Sequence, residues 1–224
     1  MMKRQLKLMA MLAVASIMAL TSCEKKETED TDTPQQQEEV AEFSYSLSGT
    51  DCWEAQSVLA GYEISYGDTL VGIIASANKF NNLMDYANSL DEMGYPHNVL
   101  LIEMAGKEGT MTQNGEPEDL MNDVYLMAIL VGEGYTTVNF FGESEDLPNA
   151  WMSENITVTV TKFDLANNKI SATITATMMD YAYLATDGEY GTPETKTLTA
   201  SIKNYPLDNW TGRLYKSMKK LKTK

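Results

Sequence analysis

Ile156-Thr157-Val158-Thr159-Val160-Thr161 carries an apolar residue at every even position and a threonine at every odd one. The same beat runs through Ile170-Ser171-Ala172-Thr173-Ile174-Thr175-Ala176-Thr177-Met178 and through Leu198-Thr199-Ala200-Ser201-Ile202. Successive side chains of a strand point to opposite faces, so a period of two in β-branched residues marks strands with one buried and one wet face. Parity then constrains how the first two pair. Both apolar sets are even, so antiparallel partners sharing a face must have an even sum. A two-residue turn at Asn167-Asn168 would set Val160 against Thr175 and swap faces. The loop is therefore expected to be odd. A three-residue loop Ala166-Asn167-Asn168, with Asn168 left-handed, predicts Val160 opposite Ile174 and Val158 opposite Ala176.

Working outward, Phe43–Leu47, Gly61–Tyr66, Leu70–Ala75, Val99–Met104, Tyr125–Val131 and Thr136–Phe141 also read as strands. Val99–Ile102 and Leu126–Val131 are unbroken apolar runs, as expected of strands covered on both faces. One segment keeps a helical beat instead: Phe80, Leu83, Met84, Ala87, Leu90 and Met93, stopped by Gly94 and Pro96. It predicts a helix over 79–93 packed on the sheet. Gly106–Asp123, Gly142–Asn149 and Ala182–Thr195 read as turn-rich connections. About nine strands and one helix predict a mainly β protein, an antiparallel sandwich or barrel.

The chain starts with a cationic Met1–Lys7 and an apolar run from Leu8 to Leu20. That run is short of the roughly 20 residues needed to span a bilayer, and it suits the apolar middle of a secretion signal. It ends in Leu20-Thr21-Ser22-Cys23, which resembles the lipobox of bacterial lipoproteins. The resemblance implies cleavage before Cys23 and acyl chains on that cysteine. Two long chains hold a protein to a membrane, at about 0.8 kcal/mol per buried methylene. Residues 24–42, rich in Glu, Lys, Thr and Gln, have the composition of a disordered tether, with a reach of roughly 25 Å. The Lys26-Glu27-Thr28-Glu29-Asp30 cluster resembles the acidic export signal of Bacteroidota surface lipoproteins, which implies an outer-membrane, surface-exposed address. A periplasmic spacer is the alternative. Lipobox, tether and threonine-rich strands together are similar to small Bacteroidota lipoproteins of unassigned function. The expected organisation is a signal over 1–22, lipidated Cys23 and tether over 23–42, one β domain over 43–206 and a basic tail over 207–224.

Charge narrows the partners. The chain holds 17 Lys and Arg against 32 Asp and Glu. The leader takes three of those cations and no acid, leaving 14 against 32, or −18. Such a balance disfavours nucleic acid as a partner of the domain. Cys52 is the one thiol left after Cys23 and has no partner within the chain for a disulfide. His97 is the single histidine, so a nucleophile–base pair would have to be built on it, and no Gly-x-Ser-x-Gly elbow is present. Glu116, Glu118, Asp119 and Asp123 crowd one loop and are weak calcium candidates, without the spacing of a calcium loop. No cofactor motif appears. Trp151, Tyr181, Tyr183 and Tyr190 fall in or beside loops, where rings could stack on a glycan or extracellular polymer. The threonine faces invite the same thought, but strand propensity and cross-strand pairing account for them.

The expectation is thus a lipid-anchored, non-enzymatic binding or structural domain. A glycan hydrolase using two carboxylates and a lipocalin-like carrier are the alternatives. The lipocalin Gly-x-Trp signature is absent, since Gly49 and Trp53 are too far apart.

Overall fold

A computed structural model describes residues 40–48, 53–65, 67–87, 89, 96–114, 126–140, 143–185 and 194–211. It is mainly β, as the alternation predicts. The strands are β1 (Glu42–Leu47), β2 (Ser57–Ser65), β3 (Asp68–Ser76), β4 (Val99–Ala105), β5 (Gly109–Asn114), β6 (Met127–Phe140), β7 (Glu143–Asp164), β8 (Lys169–Asp180), β9 (Thr195–Pro206) and β10 (Asp208–Asn209). One sheet runs in the order β1-β9-β8-β7-β6-β4-β3-β2-β10 and curls into a half-barrel. The 22-residue β7 is long enough to pair with β6 along its first part and β5 along its last. The chain leaves β9 and enters β10 at once, and β10 lies parallel beside β2, linking the two ends of the strand order.

One face of the curl forms the main core. Val71, Leu100, Val158, Ile174 and Leu198 meet there at zero or near-zero exposure, one position in two along each strand. The outer face divides. Over β1, β9, β8, β7 and β5 it is polar and wet, with Thr112, Thr157, Thr175, Thr199 and Ser46 in one register row. Hydroxyl pairs across these strands stand 2.6–3.2 Å apart, at Ser46–Thr199, Thr110–Thr159 and Thr112–Thr157. This is the cross-strand pairing that the alternation implies. Over β2, β3, β4 and β6 the outer face is covered by two further apolar clusters. The unbroken apolar runs Val99–Ile102 and Leu126–Val131 lie in β4 and around the start of β6, and the reason is this double cover.

Strands β7 and β8 bury the faces expected from parity and pair in a different register. The observed pairs are Val158 with Ile174 and Val160 with Ala172, two residues off the expected ones, with all four side chains buried. Asp164 pairs with Lys169, so the loop has four residues, an even number. A bulge between Val160 and Lys162 adds the missing residue and restores the parity. Asn168 is left-handed (φ 51°), as predicted. A second bulge, between Ser153 and Asn155, flips the faces again. It turns Trp151 toward the main core while Ala150 and Met152 join an outer cluster.

Other expectations change in detail. The two strands read at 125–131 and 136–141 are one strand, β6, bent by an irregularity between Val131 and Tyr135 that contains left-handed Gly134. Of the helix expected over 79–93, Leu83–Ala87 is helical (α1), and 88 and 90–95 lie outside the described residues. Asn82 caps α1: its side-chain oxygen accepts from the Asp85 amide at 3.1 Å. Phe80 and Leu83 pack on the sheet, as the stripe implied, and Tyr86, which lies outside the stripe, packs with them. Two stretches taken for connections contain strand: Gly109–Asn114 is β5, and Glu143–Asn149 opens β7. The connection after β8 starts with a short helix, Tyr181–Ala185 (α2).

Candidate functional site

Three residues in a row on the outer face of β2, β3 and β4 make the site: Gly61, Gly72 and Glu103 are cross-strand partners. The indole of Trp210 lies on the two glycines. A Cβ on Gly61 would collide with that ring, and one on Gly72 would come within 2.8 Å of it. Glycine in mid-strand is costly, and close approach of another group is a standard reason to find it there. Trp210 is held in place by its own amide, which donates to the Tyr62 carbonyl at 2.7 Å. Beside it, Thr211 Oγ1 accepts from the Ile64 amide at 2.9 Å.

Next to the indole is a pocket of about 40 Å³, walled by Ile74, Leu83, Leu101, Met127, Ile129 and Trp210. Among the described residues Glu103 is the only charged one in its wall. Among the described residues no donor or cation pairs with that carboxyl. Burial pushes it up to about 7, and the nearby Glu63 carboxylate adds a smaller push the same way. Glu63 itself is raised by burial. An ionised carboxylate in such a place is unfavourable unless something compensates it. A carboxyl perturbed by burial in a concave site marks a functional candidate.

The residues singled out by sequence do not gather here. Trp151 is half-buried against the main core, and the Lys196 ammonium sits 3.8 Å from its ring centroid. Lys196 is itself buried, and reaches Glu194 at 3.5 Å. That face of Trp151 is therefore taken by a cation. Tyr181 is buried in an outer cluster at 3% exposure, so its ring is a core element and no stacking platform. Tyr183 is partly buried on α2. Tyr190, Cys23, Cys52, Glu116, Glu118, Asp119 and Asp123 lie outside the described residues. Among those described, no group of three or more His, Cys, Asp and Glu could hold a metal. His97 packs edge-on to Tyr135 at 5.9 Å, with Nδ1 3.3 Å from the Gly132 carbonyl oxygen.

Sequence reading passed over Glu103, Trp210 and Lys196. One signal was present: Glu103 interrupts the apolar run Val99–Met104, in a strand predicted to be covered on both faces. Gly61 and Gly72, in mid-strand, were a second. Trp210 carried none, because residues 207–224 read as a tail, whereas Leu207 and Trp210 are buried.

Fold and site together define a curled antiparallel sheet whose interior is packed and whose outer face holds a small acidic pocket. No protein-family model matches the chain, and no match was found among curated proteins or solved structures.

Proposed function

We propose that this is a lipid-anchored cell-envelope protein, held on the outer membrane and facing outward through acyl chains on Cys23, whose β domain binds a ligand and performs no chemistry. The lipobox-like Leu20–Cys23 and the acidic tether support the address. The observation that carries the binding reading is Glu103, an uncompensated carboxyl in an apolar-walled pocket under Trp210.

The same pocket weighs against a glycan hydrolase. Glu63 is not in its wall, and 40 Å³ falls far below the roughly 300–1,000 Å³ of small-molecule sites. A lipocalin-like carrier needs an open interior, and here core side chains occupy the inside of the curl. A glycan or extracellular polymer remains a partner for the rest of the surface, through Tyr183.

Two experiments test the proposal. Feeding native cells an alkyne analogue of palmitate should label the protein, and Cys23→Ser should abolish both label and membrane retention. Label retained in Cys23→Ser would sink the anchor. A glycan array probed with the chain and with Tyr183→Ala tests the sugar version; equal binding by both would remove this ring from it.

A further inference from the structure

We infer that the pocket under Trp210 takes the ammonium head of an alkylamine, with Glu103 as counter-charge and the indole as its wall. The inference rests on the binding reading above and names the ligand class of that site.

Size, charge and wall chemistry converge on this class. A water needs about 10–15 Å³ of cavity, so 40 Å³ admits a head group of ammonium or methylammonium size and leaves the rest of the ligand outside. The charged wall group is an acceptor, and an ammonium offers it a donor and a full positive charge. The remaining wall is hydrocarbon and indole, which suits a cation on an alkyl stem through cation–π attraction and apolar contact. A divalent metal wants six or more oxygens, and this wall supplies one carboxylate. A guanidinium is planar, with five donors in a fixed fork, and finds neither the room nor the acceptors here.

Among the described residues of the elements around Glu103, the charged groups all have the same sign. Its neighbours across the strands are Gly72 on β3 and Met127 on β6, neither of them charged. Strand β2 brings Glu63, and β10 brings the exposed Asp208. From α1 comes Leu83, while the Asp85 carboxylate is engaged by Asn81. No cation from these elements competes for the carboxyl, so a proton is the ligand's rival. Binding should therefore strengthen as pH rises through about 7.

Two sources can supply such a head. One is a free alkylamine. The other is the chain itself, since residues 213–224 hold six Lys and Arg and no acid, starting two residues after Thr211.

The test titrates butylammonium chloride into the full-length chain while following the Trp210 indole N–H by NMR. It is run at pH 8 and pH 5.5, and repeated with Glu103→Gln. A full-length variant with Arg213 and the five tail lysines replaced by Gln forms a second arm. Butylammonium stays charged throughout, its ordinary pKa being about 10. Expected is a saturable Trp210 shift at pH 8, weaker by about tenfold (about 1.4 kcal/mol) at pH 5.5 and in Glu103→Gln. Tighter binding to the tail-neutralised chain would assign the natural head to a tail lysine, and equal binding would assign it to a free amine. Glu103→Gln binding as well as the unaltered chain would overturn the inference. Butanol run in parallel separates the two levels. Equal response to butanol and butylammonium would leave a binding pocket and refute the ammonium. Silence of Trp210 toward both, in both chains, would remove the pocket from the binding reading as well.

Discussion

At the residue scale, the proton on Glu103 ties the site to stability. Its folded pKa lies above its unfolded value, so the favourable contribution is complete below the ordinary carboxylate range. It is lost as pH climbs through about 7. Glu63, also raised by burial, adds in the same direction. A shift of this size corresponds to at most about 3 kcal/mol, and the partly exposed edge of the side chain makes that an upper bound. Glu103→Gln should therefore be the more stable chain at pH 8. Its urea midpoint should also change less between pH 5 and pH 8 than that of the unaltered chain. Parallel curves would show that the carboxyl is better solvated than its position implies. Tyr86 makes a simpler case. Among the described residues its buried hydroxyl has no hydrogen-bond partner, so Tyr86→Phe should be neutral or stabilising by about 1 kcal/mol in the same assay. A loss above that would reveal a bound water.

At the element scale, the decisive piece is the short run after β9. Leu207 is buried in the main core and Trp210 in an outer cluster. Ending the chain at Pro206 should cost several kcal/mol, whereas ending it at Thr211 should leave the melting temperature nearly unchanged; roughly 3–5 kcal/mol is the usual cost of losing a buried Trp ring. Equal melting temperatures for the two truncations would place the boundary of the domain at 206. Gly61→Ala pushes a methyl into the indole and should cost about 1–3 kcal/mol, as overpacking does. A Gly61→Ala chain of unchanged stability would mean that Trp210 is free to move away. Legibility differs sharply between elements. Strands β7 (its second half), β8 and β9 were readable because each buries one complete face. Strand β5 (Gly-Thr-Met-Thr-Gln-Asn) was not, since Met111 and Gln113 are only partly buried and little apolar signal remains. The first half of β7 was hidden by Glu143, Glu145 and Asp146, which pairing with β6 holds extended whatever their own preference. Register escaped because a bulge costs one residue and leaves no reliable mark in sequence.

At the scale of the whole molecule, a packed interior and a strongly negative surface set the behaviour. Interior side chains from β1 through β9 fill the curl, so an apolar fluorescent probe should show no saturable, high-affinity site at neutral pH. Tight one-to-one binding would revive the carrier reading. The chain carries a net charge of −15, and the basic stretch 213–224 runs against it. By itself the amino-acid order determined the fold class, the faces of the principal strands and the expectation of an anchored, acidic domain. These follow from local periodicity and composition, which neighbouring residues carry between them. Only the tertiary structure decided the register, the burial of Leu207 and Trp210 and the pocket beside Glu103. Those depend on groups far apart in the chain: Gly61, Gly72, Glu103 and Trp210 meet through strand pairing and through the return of the chain from β9 to β2, and no local pattern encodes such a meeting.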